Sequence, residues 1–265
     1  MNKKFVIFLT LLTSFFCVNS LSAKRIISLS QSLTKELQTL GVENEMVGCT
    51  SYCQTTRKMP IVATAVKVNV EKVVALRPDL VVANTLTPLE TIQALRKMRI
   101  NVVVFPKINS YTDICSQFLQ LGKLVNKTPQ AQQVLRMTNA KIKRLKADNK
   151  LKSKRVFIQL GANPLFAVIP NTFMNDYITY AGSTNIARGM TTGSISREAV
   201  LTRNPEVIFI VSMGISDAEK KIWKRYTNLS AVKNGKIFII DSNLACLPTP
   251  TTFVQTLEVI INHLK

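Results

Sequence analysis

The chain has 265 residues, is 46% hydrophobic, and sets 35 Lys and Arg against 15 Asp and Glu, for a formal charge of +20. That is enough apolar material for one large core or two smaller ones. With His263 as its one histidine, it offers no conventional Ser-His-Asp or Cys-His arrangement and no ordinary zinc ligand set.

Lys3 and Lys4 precede a mainly apolar stretch from Phe5 to Val18, and Leu21-Ser22-Ala23 offers a small-residue cleavage site. Residues 1–23 therefore read as a secretory signal peptide. The apolar stretch is shorter than the roughly 20 residues of a membrane span. The expected mature protein is exported to the periplasm. Cys17 raises lipoprotein anchoring as the less favoured alternative, because Phe15 and Phe16 stand where that cleavage prefers small side chains. Loss of Lys3 and Lys4 leaves a charge of +18. Such a balance is a common mark of nucleic-acid binding, against which export argues. The excess suits an anionic ligand, a peripheral contact with an anionic membrane surface, or a plain solvated exterior. Four cysteines remain, and Cys49 with Cys53 is the best-placed couple in an oxidising compartment. Spacing alone does not supply disulfide geometry.

Arg25–Leu29 predicts a first strand, and Leu33, Leu37 and Leu40 mark a helix that Gly41 ends. Strands follow at Met46–Thr50, Asp79–Ala83 and Asn101–Phe105, with helices around Leu89–Met98 and Tyr111–Val125. Alternation of this kind implies a parallel sheet covered on both faces. Thr128 then caps a long helix with Pro129 in its first turn. Its apolar stripe is Ala131, Leu135, Thr138, Ile142 and Leu145, while Arg136, Lys141, Lys143, Arg144 and Lys146 fill much of the rest. A second series has strands at Lys154–Leu160, Glu206–Val211 and Lys236–Asp241. Its helices are Phe173–Tyr180, one containing Trp223 and Tyr226, and Thr251–Leu264. The expectation is an α/β protein of two lobes with mostly parallel sheets, joined by one long rigid helix. Its parts are an N-terminal lobe at 24–127, a connecting helix at 128–150 and a C-terminal lobe at 151–265.

One pattern occurs twice. Glu71-Lys-Val-Val-Ala-Leu-Arg-Pro78-Asp79-Leu-Val-Val returns 127 positions later as Glu198-Ala-Val-Leu-Thr-Arg-Asn-Pro205-Glu206-Val-Ile-Phe. Each copy reads as a short helix, a proline stop and a buried strand. Asn69 and Ser196 look like N-caps, so Glu71 and Glu198 sit in first turns, where a negative charge favours the helix dipole by about 0.3–1 kcal/mol. That explains them structurally. A symmetric pair of exposed carboxylates, one per lobe, also suits docking onto a two-fold partner. The loops Ser51-Tyr52-Cys53 and Gly161-Ala-Asn163-Pro164-Leu-Phe166 occupy matching places after strands, where α/β sheets commonly bind ligands. The plainer reading is a turn and two core aromatics.

With these motifs, and with Arg155-Val-Phe-Ile-Gln and Ile195-Ser-Arg-Glu198-Ala-Val-Leu, the chain resembles the solute-binding proteins of ABC importers. It is similar to the helical-backbone, metal-chelate-binding class that carries vitamin B12, ferric siderophores and haem, and its local match is best to the vitamin B12 carriers. The resemblance covers essentially the whole mature chain. It implies a non-enzymatic monomer without a resident cofactor that captures cobalamin, or alternatively a ferric siderophore or haem, between its lobes. It also implies delivery to a permease dimer, with Glu71 and Glu198 pairing with arginines of the two transmembrane subunits. The implied ligand positions are Tyr52, Asn163, Phe166 and the loop Ser242-Asn243-Leu244. Departures are clear. The vitamin B12 carriers line their cleft with tryptophans, whereas Trp223 stands alone on a helix away from the cleft loops, and Ala65, Asn84 and Thr192 are small or polar. Ala181 stands where the class has a disulfide cysteine. An exported enzyme or a bare metal-ion carrier is the remaining alternative, weakened by the shortage of histidine.

Overall fold

The computed structural model describes residues 24–64, 67–148, 153–212, 214 and 216–265. The expected leader with Cys17, and Ala65, lie outside the described residues. The first half runs β1 (Ile26–Ser28), α1 (Gln31–Thr39), β2 (Met46–Thr50), β3 (Ile61–Ala63), α2 (Val70–Ala75), β4 (Leu80–Asn84), α3 (Leu89–Lys97), β5 (Val102–Phe105) and α4 (Tyr111–Leu124). The long helix α5 (Thr128–Asp148) follows. The second half runs β6 (Arg155–Ala162), β7 (Leu165–Ala167), α6 (Phe173–Tyr180), β8 (Thr184–Asn185), α7 (Arg197–Arg203), β9 (Val207–Ser212), α8 (Ser216–Lys224), α9 (Ser230–Lys233), β10 (Ile237–Asp241), α10 (Ser242–Ala245) and α11 (Pro250–Leu264).

Each half builds one sheet. The first has order β3-β2-β1-β4-β5 and is parallel throughout. The second has order β10-β9-β6-β7, with β8 also on β6, and only the β6–β7 pair is antiparallel. β4 (LVVAN) and β9 (VIFIVS) are apolar almost end to end because helices cover both faces of each sheet. In the first sheet Ile26, Leu80 and Val82 pack on the face of α1 and α4, while Ile27, Val81 and Ala83 pack on the opposite face with Val73 of α2 and Leu95 of α3. The second sheet repeats this with Val156, Val207 and Phe209 on one face and Phe157, Ile208 and Ile210 on the other.

Two helices bridge the lobes. α5 is 21 residues long, about 30 Å at 1.5 Å per residue. Its Ala131 lies in the first-lobe core and its Ile142 in the second. α4, read from the sequence as part of the first lobe, shares the bridging and runs the opposite way. Phe118 and Leu121 belong to the first core, Tyr111 and Ile114 to the second. The two helices touch closely at Gly122, where a Cβ would lie 2.7 Å from that of Ala131. Tyr111 is the wedge at the far end. Its ring packs 4.4 Å from that of Phe253, its hydroxyl donates to Asn139 Oδ1 at 2.9 Å, and its backbone N–H donates to Asp176 at 2.8 Å.

Three stretches differ from the sequence reading: the helix expected to hold Trp223 and Tyr226 ends at Lys224, short of Tyr226. Gly161–Phe166, expected as a loop, continues β6 to Ala162 and returns as β7, because Leu165 and Ala167 point into the core while Phe166 points out. Ser242–Leu244, also expected as a loop, is the start of α10, whose first turn is capped by Asp241 Oδ1 accepting from Asn243 N–H at 2.9 Å.

Candidate ligand cleft and docking helices

The carboxyl ends of β1, β2, β4 and β5 all open onto one cleft of 790 Å³ between the lobes. Leu29 and Ser30, Thr50 and Tyr52, Asn84 and Thr85, and Pro106 and Lys107 come from those strand ends, while Phe173 and Cys246–Pro248 close it from the second lobe. Strand ends gather here because every strand of a parallel sheet stops on the same side. The floor is polar and internally bonded. Asn84 Nδ2 donates to Ser30 Oγ at 3.1 Å, and the Ser30 and Ser32 hydroxyls lie 3.0 Å apart. Among the described lining residues the charged side chains are Lys67 and Lys107, with no carboxylate.

Of the six residues expected at the ligand, Tyr52 lines this cleft and is 58% exposed, whereas Ser242 does not line it. Asn163 lies exposed in the turn between β6 and β7. Phe166 is 42% exposed, and its ring covers Gly193 so closely that a Cβ there would lie 2.2 Å from Cε1. Neither lines the cleft. Asn243 and Leu244 line an adjoining cavity of 580 Å³ with Gln38 and Gln255, which meets the cleft at Gln31 and Leu247. Trp223 is fully buried on α8 and donates to Gln159 Oε1 at 2.7 Å, outside the cleft. The sequence reading did not find Lys67, Lys107, Gln117 or Phe173. Asn84 it had marked only as a departure, although its place at the end of an apolar run was a usable signal.

Gln117 leads from the cleft to a buried acid. Glu36 of α1 is fully buried, and its two carboxyl oxygens accept from Gln117 Nε2 at 3.3 and 3.2 Å. Burial pushes its pKa well above 4.5 despite that hydrogen bond. Above pH 4.5 the unfolded chain therefore releases a proton that the folded chain keeps, and stability falls as pH rises toward the folded pKa. Glu36→Gln is expected to match wild type near pH 4.5 and to become increasingly more stable than wild type as pH rises above it. Urea unfolding near pH 4.5 and at higher pH measures this, and equal pH slopes for the two proteins would refute it.

Both copies of the repeated pattern adopt one structure. Asn69 Oδ1 accepts from Lys72 N–H at 2.8 Å to cap α2, and Ser196 Oγ accepts from Ala199 N–H at 3.1 Å to cap α7. Each helix ends in a left-handed residue, Arg77 and Asn204, both with φ of 43°. The acid after each proline turns inward to the neighbouring strand. Asp79 accepts from the N–H of Arg25 at 2.8 Å, and Glu206 from that of Arg155 at 3.0 Å. Each arginine in turn donates its Nε to the carboxyl end of the motif's helix, at Leu76 O and Asn204 O, both 3.1 Å. These acids are structural clamps. Glu71 and Glu198, by contrast, are exposed and form no ion pair among the described residues. The Glu198 carboxyl is held below the usual carboxylate value by its own backbone N–H and by the Ser196 hydroxyl.

Two lobes on a helical bridge, with a cleft at the strand ends, define a two-lobed binding protein. The chain belongs to the periplasmic binding protein family, which it matches over residues 26–244. It is 30% identical over 212 residues to the vitamin B12-binding protein of Yersinia pestis, covering 76% of this chain and 74% of that one. It is 24% identical over 267 residues to the vitamin B12-binding protein of Vibrio parahaemolyticus, covering 98% and 96%. Among solved structures, the periplasmic haem-binding protein of Vibrio cholerae superposes with a TM-score of 0.82 at 19% identity, covering 91% and 98%, a likeness of fold.

Proposed function

We propose that this protein is the extracytoplasmic substrate-binding component of an ABC importer, exported to the periplasm, that holds a cobalamin-type corrinoid between its lobes. It presents the cargo, as a monomer, to a permease dimer through Glu71 and Glu198. The observation that carries the reading is the 790 Å³ cleft at the strand ends, within the roughly 300–1,000 Å³ usual for small-molecule sites. Relatives named as vitamin B12-binding proteins support the corrinoid. Binding is the work proposed for such a cleft, which gathers hydroxyls, amides and two ammonium groups. Tyr52, Asn84 and Phe173 line the cleft, and Asn243 and Leu244 would reach a ligand that extends into the adjoining cavity. Asn163 and Phe166 would meet the cargo only beyond the cleft as it stands.

A second reading, a ferric siderophore or haem, is favoured by Lys67 and Lys107 without an opposing carboxylate in the cleft. Such a wall attracts an anion more than near-neutral cobalamin. For haem, Tyr52 is the exposed phenol available as an axial ligand. Calorimetric titration separates the two. Cyanocobalamin is expected to bind at micromolar concentration or tighter, about −8 kcal/mol or better, with its affinity unchanged by Lys67→Ala and Lys107→Ala. No heat with cyanocobalamin, together with a ferric chelate or haem whose affinity falls about tenfold with each lysine lost, about 1.4 kcal/mol, would transfer the assignment to the second reading.

A further inference from the structure

Behind the cleft wall lie two sulfurs that binding does not use. Cys49 is in β2 and has no exposed surface. Cys53 follows in a tight turn, its N–H donating to Thr50 O at 3.1 Å, and remains partly exposed. Both sulfurs pack as free thiols in one core cluster of the first lobe, within reach of each other. The Cys53 sulfur also lies 3.1 Å from Thr34 Oγ1 and 3.2 Å from Thr50 Oγ1. One sulfur thus has up to three polar hydrogens aimed at it. A hydrogen bond from Cys49 draws the Cys53 thiol down to about 6, with the two threonine hydroxyls assisting and burial opposing. The same bond, with burial, pushes Cys49 up. Burial instead pushes Cys115 and Cys246 up.

We propose that Cys49 and Cys53 form a redox-active dithiol at the cleft wall, with Cys53 as the attacking sulfur and Cys49 as the resolving one. The oxidant is a disulfide, low-molecular-weight or protein-borne. The Cys53 thiolate attacks one sulfur of the incoming disulfide, forms a mixed disulfide and expels the other half as a thiolate. Cys49 gives its proton to that thiolate and attacks the Cys53 sulfur, expelling the second half, which takes a proton from solvent. Two electrons pass from the pair to the oxidant, which leaves as two thiols, and an intramolecular disulfide closes. The roles cannot be exchanged, because an outside reagent reaches Cys53 and not the fully buried Cys49. Thr50 and Tyr52 lie between the two cysteines and both line the cleft, so the closed bond staples the segment that presents them.

The test uses oxidised glutathione on the full chain, followed by alkylation of remaining thiols and tryptic mapping. Residues 36–57 contain both cysteines and no internal Lys or Arg, so they leave as one peptide. In wild type that peptide is expected to carry no alkyl group and no glutathione, and to be about 2 Da lighter than its reduced form. Cys49→Ser is expected to retain glutathione on residue 53, and Cys53→Ser to take up none on residue 49. Recovery of the wild-type peptide alkylated at both cysteines after the same exposure overturns the proposal. So does a disulfide from either cysteine to Cys115, to Cys246 or to a second molecule.

Discussion

Glu219→Ala is expected to destabilise the protein by about 3–5 kcal/mol, the cost of leaving a buried charge without its partner. The Glu219 side chain is almost wholly buried. Its two oxygens accept from Arg197 Nη2, both at 2.7 Å, and Oε2 also accepts from Gln159 Nε2 at 2.6 Å. The guanidinium lies over the Trp223 ring at 4.7 Å, and its Nη1 is buried without a hydrogen-bond partner among the described residues. With the carboxylate gone, that cation would keep its burial and lose its anion. Replacing both Arg197 and Glu219 by methionine is expected to recover most of the loss, since no charge then remains to desolvate. Urea unfolding of the three variants measures this, and a loss below about 1 kcal/mol for Glu219→Ala would contradict it. The consequence reaches function through position. Arg197 is the first residue of α7 and Glu198 the second, so the network that anchors the one aims the other.

Replacing Glu71 and Glu198 by alanine is expected to abolish delivery while leaving cargo binding within about twofold. Each carboxylate stands exposed at the head of its helix and belongs to neither the cleft nor a core. Removing one costs the fold only the helix-dipole contribution, about 0.3–1 kcal/mol. Removing a charge that pairs with a transporter arginine costs docking about 2 kcal/mol, or about thirtyfold per lobe. Cargo titration alongside uptake through the reconstituted importer separates these effects, and docking by wild type should weaken steeply with added salt. Uptake by the double variant at the wild-type rate would return both residues to the role of helix-end charges.

Much of the fold was legible because its central strands are buried on both faces and its helices carry an apolar stripe. β4, β9 and the stripe Ala131, Thr138 and Ile142 are of this kind. The short strands β3, β7 and β8, of 2 or 3 residues, were not, since pairing with a neighbour rather than periodicity makes them strands. The bridging role of α4 was equally hidden. Tyr111 and Phe118 look alike as aromatics on one helix, and only packing assigns them to different cores. At the site, the place of Tyr52 after a strand was readable. Lys67 and Lys107 were not, because two lysines among 35 Lys and Arg carry no mark of facing inward.

The two α/β halves, the long helix between them and the paired motif follow from the order of residues alone, because hydrophobic period, caps and proline stops are local properties that repeat wherever the same physics recurs. Which acids of that motif are clamps across strands, and which stand exposed without an ion pair among the described residues, was settled by the packing. Asp79 and Glu206 find backbone N–H groups at Arg25 and Arg155, 54 and 51 positions away in the chain, while Glu71 and Glu198 find solvent. It likewise decided the charge of the cleft and the meeting of Cys49 with Cys53. Those properties depend on which side chains converge across strand ends and turns, and convergence is set by packing rather than by spacing.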